Sequence, residues 1–151
     1  MRRGSHNMLV KMNEIEILDG NSYSDERGSI SFNNGFNASL VKQIYFIENS
    51  SKEIVRGWQG HKIEQRSCSS VKGKFKINII TIDDWDNPSK NLKIKSYMLN
   101  SNTLDIPQVP RGNITSIQSL EEYSKLMVLS DHSMGERKDE YRFNINYFNI
   151  N

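Results

Sequence analysis

A single cysteine, three prolines and three histidines in 151 residues leave several chemistries without material. Cys68 cannot close an internal disulfide, and no apolar run approaches the roughly 20 residues that a membrane span needs. The first histidine lies in Met1-Arg2-Arg3-Gly4-Ser5-His6-Asn7, which reads as an expression-tag remnant, because no apolar core of a signal peptide follows the arginines. Setting residues 1–7 aside leaves His61 and His132, and takes the 20 basic residues to 18 against 18 acidic ones. Balanced charge offers no electrostatic pull towards nucleic acid. Two histidines and one cysteine are too few for a structural zinc site. A lone cysteine with no export signal fits the reducing cytoplasm. Residues 8–151 are therefore read as one cytoplasmic domain, large enough for a core around one site, with no membrane or nucleic-acid partner.

What the chain does have is β-type patterning. Period-two alternation rich in β-branched and aromatic residues marks Ser29–Phe32, Leu40–Ile47, Ile54–Trp58, Lys62–Ser69, Lys74–Ile82, Leu92–Leu99, Thr103–Val109, Ile114–Ser119 and Lys125–Leu129. Turn chemistry separates them, as in Asn33-Asn34-Gly35, Val71-Lys72-Gly73 and Asp86-Asn87-Pro88-Ser89. About nine short strands without helical periodicity predict an all-β sandwich or barrel. Cys68 then falls on a strand as a small buried or half-buried residue. The asparagine-rich end from Phe143 to Asn151 leaves three readings open: an edge strand, an oligomer contact or a frayed tail.

One stretch carries a sharper signal. Arg56-Gly57-Trp58-Gln59-Gly60-His61-Lys62-Ile63-Glu64-Gln65 resembles the Arg-Gly-x-His-x-His-Lys-x-x-Gln segment of the dTDP-4-oxo-6-deoxyglucose 3,4-ketoisomerases (WxcM-like), and the shorter Arg-Gly-x-His of the dTDP-4-dehydrorhamnose 3,5-epimerases. Asp25-Glu26-Arg27-Gly28 is similar to the opening of both families, and Lys42-Gln43-Ile44-Tyr45-Phe46 to the ketoisomerases' Lys-Arg-x-Tyr-Tyr strand. Ile106-Pro107-Gln108-Val109-Pro110-Arg111-Gly112 is similar to the epimerases' Ile-Pro-x-Gly strand. The resemblance implies a cupin-type jelly roll (double-stranded β-helix) working on a nucleotide sugar in surface-polysaccharide synthesis, without a cofactor and as a homodimer.

Departures from the pattern limit the chemistry that the resemblance can supply. Gln59 stands where both families place the first motif histidine, and a glutamine amide is no general base. The epimerases' later histidine is missing from Asn113–Ser116, and their acidic tyrosine is replaced within Leu126-Met127-Val128. Gln59-Gly60-His61 also spoils the His-x-His pair of metal-binding cupins, so no metal is expected.

The resemblance makes His61 the catalytic base and Tyr45 its proton-handling partner, the bland readings being a structural histidine and a core-filling tyrosine. Alternation puts Gly57, Gln59, His61 and Ile63 on one strand face and Trp58, Gly60 and Lys62 on the other. Arg56 suits a diphosphate oxygen, or pairing with a carboxylate. Gln59 suits a sugar hydroxyl or carbonyl, and Trp58 suits stacking on sugar or base, or packing in the wall. Lys42, Lys62, Gln65 and Arg111 are weaker substrate contacts, and His132, amid turn-forming residues, reads as an exposed loop side chain. Three functions remain: a 3,4-ketoisomerase, with a 3,5-epimerase-like variant; a non-catalytic nucleotide-sugar or glycan binder that lost a histidine at Gln59; and a scaffold acting through sheet edges.

Overall fold

A computed structural model describes residues 15–133 and 139–149. The tag-like residues 1–7 and the loop positions Met134 and Gly135 lie outside the described residues. In chain order the strands are β1 (Glu16–Leu18), β2 (Asn21–Asp25), β3 (Gly28–Phe32), β4 (Gln43–Ile47), β5 (Val55–His61), β6 (Arg66–Lys72), β7 (Lys74–Thr81), β8 (Lys95–Asn100), β9 (Ile106–Val109), β10 (Asn113–Ser119), β11 (Lys125–Ser130) and β12 (Glu140–Phe143). One 3-10 turn, Ala38–Leu40, takes the start of the predicted Leu40–Ile47 strand. Among the described residues no helix is long and apolar enough to cross a membrane.

Two five-stranded antiparallel sheets face each other, ordered β1-β9-β6-β11-β4 and β12-β5-β10-β7-β8, with β2 and β3 forming a separate hairpin. From β4 to β7 successive strands alternate between the sheets, which is the winding of a jelly roll. The space between the sheets holds Phe75, Ile77, Ile79, Leu99, Leu126 and Val128 around Cys68. On β7, Phe75, Ile77 and Ile79 point inwards, while Ile80 joins Trp58, Ile114 and Phe148 on the outer face of the second sheet. Each such side chain contributes roughly 1.5–3 kcal/mol by burial. Two of the three readings of the C-terminal end are resolved in part: β12 adds an edge strand to β5, and Tyr147 and Phe148 fold back onto the outer cluster.

The predicted strands recur, with one correction. Residues 62–65 leave the sheet, because the buried Asp139 carboxylate accepts the backbone N–H groups of Lys62, Ile63 and Glu64 at 2.9 Å each and curls them into a loop. Gly60, in contrast, is fixed by packing. A Cβ there would sit 2.2 Å from the Asn113 carbonyl oxygen and 2.6 Å from Ile114 Cα, both backbone atoms of the neighbouring β10. The close approach is between strands, not to a ligand. Gly60→Ala must push β5 off β10 and should cost about 1–3 kcal/mol; urea unfolding with an unchanged midpoint would contradict this packing.

Candidate functional site

A cavity of about 480 Å³ opens between the sheets, within the roughly 300–1,000 Å³ of small-ligand pockets. Tyr45 from β4 and Arg56, Gln59 and His61 from β5 all line it. Strict alternation would separate Arg56 from Gln59 and His61. A β-bulge removes the conflict: Thr115 of β10 pairs with Gln59, yet Ile117, two residues on, pairs with Arg56, three residues back. The extra residue on β5 shifts the parity and brings Arg56 to the cavity side.

His61 is the most enclosed of the four. Its side chain is 9% exposed, with Nδ1 3.1 Å from Glu64 Oε2 and 3.7 Å from Asp139 Oδ2. Neither contact is aligned as a hydrogen bond, and Nε2 has no partner among the described residues. Both carboxylates have other partners. Arg66 donates through Nε to Glu64 Oε2 at 2.8 Å, its Nη2 lies 2.6 Å from the same oxygen, and Ser130 Oγ donates to Oε1 at 2.6 Å. Asp139 is taken up by the three N–H groups of the loop. Burial and the Arg66 cation therefore outweigh the carboxylates, and the His61 pKa is pushed below its ordinary 6.5. The imidazole is neutral at pH 7, and a carboxylate beside Nδ1 favours a proton there, leaving the Nε2 lone pair as a base.

Tyr45 completes the wall. Arg66 Nη1 donates to its phenolic oxygen at 2.6 Å. Burial, only partly offset by Arg66, raises the phenol's pKa above 10.0, so Tyr45 is a proton donor at neutral pH. Cys68 also lines the cavity, but burial pushes its thiol up to about 12, far from the range of a nucleophilic thiolate.

The other sequence candidates fall outside the cavity. Trp58 is 4% exposed on the outer face, edge-on to Phe148 with ring centroids 5.6 Å apart, so it packs in the wall and is not placed to stack on a ligand. Lys62 extends over the Tyr141 ring at 5.1 Å. Lys42 is exposed beside β4. Gln65 uses its backbone N–H on Asp131 Oδ1 at 2.9 Å, and Arg111 lies 3.8 Å from Asp131 Oδ2. The expectation that Trp58, Lys62, Gln65 and Arg111 touch substrate is thus corrected: the strand parity, and the loop made by Asp139, aim them elsewhere.

Sequence reading also missed residues. Glu64 and Arg66 stood in the motif without a role, although their side chains carry its charge balance. Arg142 lines the cavity because β12 pairs it with Gln59, a register no local pattern reveals. Arg56 and Arg142 are the exposed cations of the lining, Arg56 donating to Asn49 Oδ1 at 2.8 Å and Arg142 lying against Glu140. His132 lines the cavity half-buried, not as the exposed loop residue expected. Among the described residues no three His, Cys, Asp or Glu side chains are grouped to hold a metal ion.

With this geometry in place, comparison with known proteins is informative. Residues 8–150 match the family FdtA, described as WxcM-like, C-terminal. No curated protein matches. Among solved structures, the chain is similar to the sugar 3,4-ketoisomerase QdtA from Thermoanaerobacterium thermosaccharolyticum in complex with TDP (TM-score 0.66, 20% identity, 88% of this chain and 90% of that one). It is also similar to the WlaRB TDP-quinovose 3,4-ketoisomerase from Campylobacter jejuni (TM-score 0.63, 19% identity, 86% and 93%). A third is the dTDP-4-dehydrorhamnose 3,5-epimerase from Bacillus anthracis (TM-score 0.68, 15% identity, 85% and 78%). The fold is the cupin-type jelly roll.

The electrostatics make a measurable statement. Because the folded state disfavours protonated His61, the unfolded chain binds that proton more readily, so the His61 contribution to stability is present above pH 6.5. It is lost as the pH falls through the folded-state value. An NMR titration of the His61 ring should give a midpoint below 6.5; a midpoint above it would mean that the carboxylates dominate.

Proposed function

Since the chain belongs to the WxcM-like, C-terminal family, we propose that it is a metal-independent isomerase of a dTDP-4-oxo-6-deoxyhexose, moving the keto group between C4 and C3 in surface-polysaccharide sugar synthesis. The observation that carries this reading is the neutral His61 imidazole with an unpartnered Nε2, in one cavity with a protonated Tyr45 phenol. Keto transfer needs a base for the C3 proton, a donor for the oxygen that becomes an enediolate, and a proton returned at C4. His61 Nε2 serves as the base. The Tyr45 hydroxyl, polarised by Arg66, donates to the developing oxyanion.

Binding falls to the mouth. Arg56 and Arg142 offer planar, permanently charged forks to a diphosphate, and Gln59 offers an amide to a hydroxyl or carbonyl of the sugar. The resemblance to 3,4-ketoisomerases and the TDP in the QdtA structure support a nucleotide-sugar ligand. The 3,5-epimerase variant is less well supported, because Leu126 and Val128 present apolar side chains to the cavity where the resemblance would require an acidic tyrosine. Gln59 favours a second reading, a cupin that binds a nucleotide sugar without turning it over. A cytoplasmic location and a homodimer complete the proposal. The exposed apolar side chains of the β2–β3 hairpin, Tyr23 and Ile30, are consistent with cover by a second copy, and sedimentation equilibrium should return twice the chain mass.

Incubation with dTDP-4-oxo-6-deoxyglucose in D2O separates the readings. The isomerase should incorporate deuterium next to the keto carbon and form the 3-oxo sugar, and His61→Asn should lower both by about 10²–10⁴-fold, the usual worth of a general base. Calorimetric binding without any exchange would support the non-catalytic binder. Arg56→Ala should weaken TDP binding about tenfold or more, roughly the 1.5–3 kcal/mol of a hydrogen bond to a charged group. Unchanged affinity would remove Arg56 from the diphosphate site.

A further inference from the structure

The cavity contains a second histidine, and its setting is that of a proton-transfer group. His132 follows the last residue of β11, in the sheet facing the one that carries His61. Its side chain is 17% exposed and lines the same cavity. Nδ1 lies 2.7 Å from Asp131 Oδ1. That carboxylate is itself held from other elements: Oδ1 accepts the Gln65 N–H at 2.9 Å, and Oδ2 lies 3.8 Å from Arg111. A fixed carboxylate behind one ring nitrogen holds the Nδ1–H tautomer and leaves Nε2 to carry a transferred proton.

The two histidines are also tied into one frame. Ser130 Oγ donates to Glu64 Oε1, 2.6 Å away, and accepts the His132 backbone N–H at 3.1 Å. Glu64 Oε2 in turn lies beside His61. Displacement of one imidazole is thus resisted by the bonds that hold the other.

We propose that His132, oriented by Asp131, is the second proton-transfer residue of this cavity, supplying from the facing sheet the function that Gln59 cannot provide. This rests on the isomerase reading above. His61 Nε2 removes the C3 proton, the C–H electron pair forms the C3=C4 bond, and the C4 carbonyl pair moves to oxygen, which takes the Tyr45 proton. The 3-hydroxyl then returns a proton to Tyr45 as C3=O forms, and the C3=C4 pair takes a proton from His132 Nε2 at C4. One proton has entered at His61 and one has left at His132, and the two rings reset by exchange with solvent. Delivery from the facing sheet places the new C4 hydrogen on the sugar face opposite the one from which His61 took its proton.

The two half-reactions give separate readouts with dTDP-4-oxo-6-deoxyglucose in D2O. His132→Asn and His132→Gln should keep TDP binding and deuterium incorporation at C3, which need His61 only, while formation of the 3-oxo product falls about 100-fold or more. His61→Asn should lose both. Product formation by both His132 variants within about threefold of the wild-type rate would overturn the proposal. So would a parallel loss of exchange and product with TDP binding intact, since that would mark a residue that only positions His61. Wild-type protein showing neither exchange nor product would instead overturn the isomerase reading itself, and this assignment with it.

Discussion

Three backbone N–H groups converge on one buried carboxylate. Asp139 accepts from Lys62, Ile63 and Glu64, and the site depends on that contact because these residues carry the chain from β5 in one sheet to β6 in the other. An extended continuation of β5 would send Glu64 away from His61. Curled as it is, the loop returns Glu64 to within 3.1 Å of the imidazole and hands it to Arg66, which reaches Tyr45. Bonds of this kind to a charged acceptor contribute roughly 1.5–3 kcal/mol each, and they satisfy donors that the crossing would otherwise leave without partners. The crossover and the catalytic wall are thus one feature.

Charge pairing around the loop decides what each group can do. Glu64 and Asp139 lie close enough to His61 to hold an imidazolium, and in isolation they would. Arg66 and Ser130 occupy Glu64, and three amides occupy Asp139, so what remains at His61 is desolvation together with the repulsion of Arg66. The same guanidinium keeps a short bond to a phenol that burial holds protonated. One arginine therefore helps keep the base unprotonated and polarises the acid. That arrangement suits proton transfer at neutral pH better than a histidine paired to a free carboxylate would.

Much of this was legible in the sequence where the signal was local. Alternation found nine of the strands, and Tyr45, Arg56, Gln59 and His61 emerged from a contiguous motif or one strand pattern. Failures began where tertiary contacts override local rules. Trp58 looked available for stacking because nothing in its neighbourhood shows that Phe148, 90 residues on, folds back over it. The parity of Arg56 depended on a bulge seen only against β10. Residues 62–65 read as strand because their composition permits one, and the carboxylate that bends them lies more than 70 residues away. β1 and β2 are short, β2 is mostly polar, and neither offers enough alternation to register.

Gln59 shows how far motif reading goes. On sequence alone, losing a motif histidine argues for a dead site, because the chemistry is counted along one strand. A jelly roll does not confine its chemistry to one strand: the cavity has two walls, and a group at the end of β11 reaches the same space as one on β5. Gln59 pairs with Thr115 on one side and Arg142 on the other, so its amide sits between a hydroxyl-bearing strand and a cation, a setting for holding a sugar oxygen. His61 keeps a base at one end of that wall, while the Asp131-supported His132 ring comes from the other sheet. The substitution is therefore better weighed against the whole cavity than against the motif, and by that measure the proton-handling groups number three, two imidazoles and a phenol, where the motif counted one histidine.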